Sequence, residues 1–188
     1  SLRKYNLSPN QIDYIFISHL HGDHSGGLPF FLLNLKNRES GVVTISGPPG
    51  LKKQITNVYA EYFGDIDITE YFKFKSLTSD YPFGLQYIEG DHSVLDYVYK
   101  IELDDKIIVY TGDTRPIDLS KFAQNADYLI HEAGEIDSNR AHVSAHTTPI
   151  QAAEIAKNAN AKNLILIHRA NFNQELIDNI QSIFPNTL

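Results

Sequence analysis

Four of six consecutive residues near the start of the chain carry side chains that can bind a divalent metal ion, in the order His-Leu-His-Gly-Asp-His. Imidazole and carboxylate donors suit zinc, with manganese or iron(II) as alternatives where a carboxylate contributes. In so short a segment, the four side chains cannot all bind the same ion. We therefore expect His19 and His21 to face one ion and Asp23 and His24 a second. Gly22 is expected to let the backbone turn tightly among them.

Two metal sites need more donors than this segment supplies. The remaining candidates all carry imidazole or carboxylate groups: His92, Asp113, His131, His142, His146 and His168. Taken alone, several have ordinary interpretations. His92 could be a salt-bridged surface histidine, Asp113 a turn residue, and His168 a satisfied core histidine. For His131 we favour a structural role beside the ligands over ligation.

The composition excludes several other kinds of chemistry. The 188 residues include no cysteine, which excludes a disulfide scaffold, a thiolate metal site and a cysteine nucleophile. The net charge of −7 argues against an extended, sequence-blind nucleic-acid surface. We find no signal-like segment and no apolar run near the roughly 18 residues that a membrane span needs. We therefore expect a cytoplasmic protein without a membrane partner.

Short apolar strands are predicted to position the donors. Predicted strands at 12–17, 106–110, 127–131 and 163–167 end at or next to His19, Asp113, His131-Glu132 and His168. Strand ends at one edge of a sheet are where rigid scaffolds present functional groups.

The other predicted elements complete one mixed domain. A capping box at Thr148 predicts a helix to about residue 159. A second helix is predicted to bury Leu51, Ile55, Val58 and Tyr62 on one face. Strands are also predicted at 42–46, 84–89 and 94–103. The order predicts an α/β or α+β fold in a single domain over residues 1–188.

Six segments, taken in order, resemble the metallo-β-lactamase fold, and specifically its ribonuclease Z-like phosphodiesterase branch. They are FISHLHGDHSGGLP at 16–29, DHS at 91–93, YTGDTRP at 110–116, LIHEA at 129–133, HTT at 146–148 and LILIH at 164–168. The resemblance implies an αββα sandwich. The chain holds no methionine, and family members usually have several strands before the first motif. We therefore expect part of the N-terminal strands to be missing.

The resemblance also implies a ligand set for two divalent metal ions, most simply Zn²⁺, with Mn²⁺ or Fe²⁺ as alternatives. The first ion would be held by His19, His21 and His92, the second by Asp23, His24 and His168, and Asp113 would bridge both.

Catalytic roles follow from the same resemblance. Asp23 would orient a metal-bound hydroxide that acts as the nucleophile. Glu132 would orient the imidazole of His146, which would assist the leaving group. His142 competes with His146 for this role, but the register of the following helix favours His146.

These roles predict a dinuclear metal-dependent phosphodiesterase. Its substrate would be RNA, processed at the 3′ end, or a small or cyclic phosphodiester. Only 21 positions separate His92 from Asp113, which leaves no room for the protruding arm that transfer-RNA-processing members usually carry there. Arg115 is a candidate phosphate contact. The alternatives are an ester, lactone or thioester hydrolase on the same metals and a non-catalytic scaffold. Dimers are common in the family, so a homodimer is a further expectation.

Overall fold

A computed structural model describes residues 2–35, 41–64, 70–77, 80–137, 139–169 and 171–188, without the side chains of Arg3, Ala141 and His142. The chain divides into two compact units, Ser1–Leu77 and Thr78–Leu188. Each unit has its own sheet and its own apolar core. The single domain over residues 1–188 stays a prediction. No helix in the described ranges has the length and apolar character needed to cross a bilayer.

The first unit is built on a three-stranded parallel sheet in the order β1-β2-β3. The strands are β1 Tyr14–Phe16, β2 Val43–Ser46 and β3 Phe72–Phe74. Parallel neighbours need crossover connections, which are usually helical. The helices are α1 Gly22–Ser25, α2 Leu28–Asn34 and α3 Leu51–Phe63, and 3-10 turns at Leu2–Tyr5 and Pro9–Gln11 precede β1.

Helix α3 covers this sheet with one apolar face. Leu51, Ile55 and Tyr59 are buried along it, at the four-residue spacing of one helical stripe. The prediction that Tyr62 belongs to this face is wrong, because its side chain is 60% exposed. Tyr62 lies in the last turn of α3, and its ring packs 5.6 Å from that of Phe30, which is itself half exposed.

The second unit is built on a five-stranded mixed sheet in the order β4-β5-β6-β7-β8. The strands are β4 Gly84–Glu89, β5 Tyr97–Leu103, β6 Lys106–Tyr110, β7 Tyr128–Glu132 and β8 Leu164–Ile167. Strands β4 to β6 are antiparallel, whereas β6, β7 and β8 are parallel. Asp104 and Asp105 join β5 to β6 with φ values of 48° and 58°, which is typical of a two-residue hairpin turn.

The parallel strands of this sheet bring three of the predicted site residues to one edge. Their carboxyl ends lie on the same side, so Asp113 follows β6, Glu132 ends β7 and His168 follows β8 at a common edge. The prediction from strand ends holds for these three side chains. Strand β1, which precedes His19, belongs to the other sheet.

Three helices complete the second unit: α4 Ala141–Ser144, α5 Pro149–Asn158 and α6 Gln174–Ile183. The predicted capping box is present, since the Thr148 side chain accepts from the Gln151 backbone N–H and the Gln151 side chain accepts from the Thr148 N–H. Small residues on α5, among them Ala152 and Ala156, are fully buried in the core. Their size allows a helix to pack closely on a sheet.

The chain end covers the outer edge of β8. The Leu164 N–H donates to the Asn186 carbonyl, and the Leu188 N–H donates to the Leu164 carbonyl. Thr187 forms a parallel bridge with Leu164. The last residues therefore extend the sheet beyond its edge strand.

Candidate metal centre

In the first unit, the predicted metal-binding segment leaves β1 and enters the short helix α1. His19 is fully buried, and its Nδ1 lies 3.1 Å from the Ser18 hydroxyl. With Nδ1–H donating to that hydroxyl, Nε2 carries the lone pair of the ring. Nε2 lies 3.1 Å from Nδ1 of His21. Two imidazoles thus direct nitrogen atoms at one point.

This spacing fits a shared ion. Two nitrogens that bind one tetrahedral zinc lie about 3.3 Å apart, given the ordinary Zn–N distance. The ring of His24 lies 4.1 Å from that of His19, and its Nε2 is 3.6 Å from Oδ2 of Asp23. All four predicted donors of this segment therefore lie in one cluster within the first unit.

The backbone turns tightly in this segment, because the His24 and Ser25 N–H groups both donate to the His21 carbonyl, but the turn does not require a glycine at position 22. Gly22 begins α1 with helical geometry, and a Cβ added there would meet no heavy atom within 4 Å. The segment does not need a glycine for steric reasons.

In the second unit, the Glu132 carboxylate is a buried acceptor for four donors. It is fully buried at the end of β7. Oε1 accepts from the Thr114 N–H at 2.9 Å, the Thr147 N–H at 3.0 Å and His146 Nδ1 at 3.2 Å. Oε2 accepts from the Gly134 N–H at 2.7 Å. One side chain therefore ties together the segments that follow β6, β7 and α4.

The pKa of this carboxyl reflects opposing causes. Burial is the main reason that the pKa of Glu132 is raised, to about 7 overall; three backbone N–H donors oppose this rise, and the nearby Asp113 carboxylate adds to it. Removal from water disfavours the ionised form, and hydrogen bonds to that form favour it.

Three more predicted residues gather around Glu132 in the same unit. Oδ2 of Asp113 lies 3.6 Å from Nε2 of His168 and 3.9 Å from Nδ1 of His146. Potential ligand atoms of Glu132, His146 and His168 lie within 4.8 Å of one another. His168 has a φ of 48°, an uncommon conformation that turns the chain directly after β8. Imidazole and carboxylate donors at these distances fit a divalent ion.

His92 joins this group through a backbone contact. Its Nδ1 donates to the Ala145 carbonyl at 3.0 Å, and its ring lies 5.4 Å from that of His146. Metal-ligating histidines usually donate their second ring N–H to a carbonyl or carboxylate in this way. The other ring nitrogen, Nε2, then carries the lone pair that a metal ion would bind.

Sequence reasoning missed Gly134, which packs against two of these rings. A Cβ at this position would lie 2.8 Å from Nδ1 of His168 and 3.2 Å from Nδ1 of His146. The only sequence signal is its place directly after the LIHEA segment. The absence of a side chain allows both imidazoles to approach the backbone.

Two other candidate site residues, His131 and Arg115, bind other groups of the protein. For a third candidate, the side chain is not described. His131 is fully buried; its Nδ1 donates to the Glu132 carbonyl at 2.8 Å, and burial lowers its pKa to about 4. Among the described residues, its Nε2 has no hydrogen-bond partner. Arg115 pairs with Asp91 at 2.9 Å. The side chain of His142 is not described.

The metallo-β-lactamase fold has this arrangement: an α/β fold with two sheets and clusters of histidine and aspartate at strand ends. A family model described as a beta-lactamase superfamily domain matches residues 2–169. The chain belongs to the metallo-β-lactamase superfamily and, within it, to the ribonuclease Z-like branch. The predicted fold family is thereby confirmed, whereas the missing N-terminal strands stay a prediction.

Similar proteins support this placement. A protein named Ribonuclease Z from Picrophilus torridus is 32% identical over 98% of this chain and 78% of its own length. The crystal structure of human tRNase Z, short form, has a TM-score of 0.76 at 27% identity and matches 89% of this chain and 76% of that one. The metallo-beta-lactamase fold protein YhfI from Bacillus subtilis has a TM-score of 0.77 at 23% identity, over 97% of this chain and 76% of that one.

Proposed function

We propose that the protein is a dinuclear metal-dependent phosphodiesterase. The observation that carries this proposal is the pair formed by Glu132 and His146, a buried carboxylate that accepts from an imidazole 3.2 Å away. The pair stands beside two predicted metal ligands, Asp113 and His168. Membership of the ribonuclease Z-like branch supports the same reaction class.

The proposed ligand set is the one that the family resemblance implies. The first ion would be held by His19, His21 and His92, the second by Asp23, His24 and His168, and Asp113 would bridge them. Support comes from inside each unit, where His19 and His21 converge to 3.1 Å and Asp113 approaches His168 to 3.6 Å. The nitrogen and oxygen donors favour zinc, with manganese or iron(II) as alternatives.

The roles of the other side chains follow from their hydrogen bonds. Bound divalent ions would supply an activated water and would neutralise charge on the phosphodiester. His146 keeps Nδ1 bonded to Glu132, so Nε2 is the atom that gives a proton to the leaving oxygen. The ionised Glu132 carboxylate holds the ring orientation and stabilises the positive charge of the protonated imidazole. Asp23 would accept a hydrogen bond from the attacking water and orient it.

The proposed activity fits two classes of substrate. The name of the relatives favours RNA, processed at its 3′ end. The hairpin of β5 and β6, closed by the Asp104–Asp105 turn, favours a small or cyclic phosphodiester, because it occupies the span between His92 and Asp113 without a protruding arm. The alignment with the Picrophilus protein runs over 242 positions for a chain of 188 residues, so that relative has stretches without a counterpart here.

Metal analysis of the full-length protein, beside a substrate panel, tests the proposal. The panel holds bis-p-nitrophenyl phosphate, cyclic nucleotides, a 3′-extended precursor transfer RNA and a lactone. We expect two metal ions per chain and turnover of phosphodiesters but not of the lactone. Turnover of the lactone alone would support an ester, lactone or thioester hydrolase instead. Less than one metal ion per chain after purification in zinc or manganese would support a non-catalytic scaffold.

A further inference from the structure

Asp96 is a fully buried carboxylate directly before β5 that has no role in the chemistry described above. Its Oδ1 accepts a hydrogen bond from the backbone N–H of Asp113 at 3.3 Å. Asp113 lies beyond the end of β6, where the ladder no longer supplies acceptors. A buried backbone donor needs a partner, and the Asp96 side chain provides it.

The backbone of Asp96 also closes the loop that carries His92. The Gly90 N–H donates to the Asp96 carbonyl at 3.0 Å, so the two ends of loop 90–96 meet. The approach is close, because a Cβ at Gly90 would lie 2.9 Å from Oδ2 of Asp96. Asp96 therefore contacts both the loop of one proposed ligand, His92, and the backbone of another, Asp113.

The neighbouring contacts tie the same two segments together. The Asp91 N–H donates to the Thr114 hydroxyl at 2.9 Å, and the Arg115 N–H donates to the Asp91 carbonyl at 2.8 Å. The side chains of Asp91 and Arg115 also form an exposed ion pair. The Asp96 side chain connects the same two segments through its buried hydrogen bond to the Asp113 N–H.

We propose that Asp96 is a positioning residue that holds His92 and Asp113 in the arrangement needed to bind metal. The inference rests on the ligand assignment of the proposed function. The hydrogen bond to the Asp113 N–H fixes the backbone from which the bridging carboxylate projects. Groups that orient metal ligands in this way usually contribute strongly to affinity.

Zinc affinity of the full-length, zinc-loaded protein tests the inference. A chromophoric chelator is titrated into the wild type, Asp96→Ala and Asp96→Asn, and zinc withdrawal is followed by absorbance. We expect Asp96→Ala to bind zinc roughly 10–100-fold more weakly. Asp96→Asn keeps an oxygen acceptor of the same size, so we expect its affinity to stay within about threefold of the wild type. Equal loss in both variants would overturn positioning through this hydrogen bond.

The matched control is Asp127, a buried aspartate at the other end of β6. Its Oδ2 accepts the Ile107 backbone N–H at 2.9 Å. We expect Asp127→Ala to lower the unfolding temperature without changing zinc affinity. If Asp96→Ala behaves in the same way, the role of Asp96 is structural and the inference is wrong.

A second variant covers the case in which Asp96→Ala does not fold. Gly90→Ala keeps the Asp96 residue itself. The added Cβ would lie too close to Oδ2 of Asp96, so we expect the carboxylate to move away from the Asp113 N–H. We expect the same direction of change in zinc affinity, and an unchanged affinity would contradict the inference. Failure of the wild type to bind zinc would instead contradict the proposed function, so the two failures are distinguishable.

Discussion

Nδ1 of His146 lies 3.2 Å from Oε1 of Glu132, and that carboxylate is completely buried. The same oxygen accepts the N–H groups of Thr114 and Thr147. Oε1 is held by three donors, so it cannot turn away from the imidazole without losing the other two bonds. The orientation of His146 is therefore fixed by the backbone of two separate segments rather than by one flexible side chain.

Replacement of His146 by alanine tests its role as a proton donor. We expect His146→Ala to lower phosphodiester turnover roughly 10²–10⁴-fold, the usual contribution of a general acid. Metal content should be unchanged, because the proposed ligand set does not include this residue. Elemental analysis beside steady-state kinetics makes the measurement, and loss of metal would show that His146 is a ligand.

Replacement of Glu132 by glutamine tests the carboxylate itself. Glutamine keeps one acceptor oxygen but presents an NH₂ group to a pocket that contains only donors, including the Gly134 N–H on Oε2. We expect a loss of roughly 1–3 kcal/mol in the free energy of unfolding and a fall of roughly 10–100-fold in turnover. Denaturant melts and kinetics measure both. Wild-type turnover in Glu132→Gln would exclude the proposed orienting role.

Replacement of Asp113 by alanine tests the bridging assignment. A carboxylate shared by two cations contributes to both sites, so we expect Asp113→Ala to lose both ions rather than one. Metal stoichiometry after purification in excess zinc is the measurement. Retention of two ions per chain would refute the bridge, and retention of one would make Asp113 an ordinary ligand of a single ion.

Replacement of Gly134 by alanine tests the close approach of the two imidazoles. The added Cβ meets Nδ1 of His168 at 2.8 Å, so the ring must shift. We expect weaker zinc binding and at least tenfold lower kcat/KM, since small displacements of catalytic groups are costly. The matched control is Gly27→Ala, where a Cβ meets nothing within 4 Å; it should retain wild-type activity. Equal behaviour of the two variants would contradict the steric argument.

Acid sensitivity is predicted from His131. Burial lowers its pKa in the folded state to about 4, below the ordinary value of 6.5. The unfolded chain therefore binds a proton at this residue that the folded chain does not, so the contribution of His131 to stability is complete above pH 6.5 and is lost as the pH falls towards 4. The raised pKa of Glu132, about 7, changes stability in the opposite direction over the same range, so the contribution of His131 is read from the difference between wild type and variant. The loss is on the order of 3 kcal/mol. In metal-free protein, the difference in free energy of unfolding between wild type and His131→Leu should shift by this amount, against the wild type, as the pH falls from 6.5 to 4, and a difference that does not vary with pH would contradict the assignment.

A second acid-sensitive group is distinguishable from His131 by its pH range. The hydrogen bond from Lys162 holds the pKa of Asp127 at about 2, below the ordinary 3.8. Its contribution is present above pH 3.8 and is lost at lower pH, outside the range assigned to His131.

Most strands and several candidate site residues could be located from the sequence alone. Strands β4 and β6 have the predicted bounds, and α5 begins at the predicted cap, because hydrophobic period and capping residues are local signals. The candidate metal ligands could be chosen because imidazole and carboxylate at strand ends are rarely needed for packing.

The remaining features depend on contacts between residues distant in sequence. Asp96 looks like an ordinary polar residue until its carboxylate is found on the Asp113 N–H. Gly134 matters because two imidazoles lie against it, whereas Gly22, which the sequence made prominent, has open space around it. The separation of β1 from the second sheet also depends on pairing, which periodicity does not encode.

Residues 186–188 cover part of one edge of the second sheet, beside β8. Leu164 to Ile167 is an uninterrupted aliphatic run, and such a strand with a bare edge is a template for pairing with another molecule. Asn186 and Leu188 occupy part of that edge through their backbone groups. Removal of residues 186–188 would expose the backbone groups of β8 with which they pair, and an exposed aliphatic edge strand favours pairing between molecules.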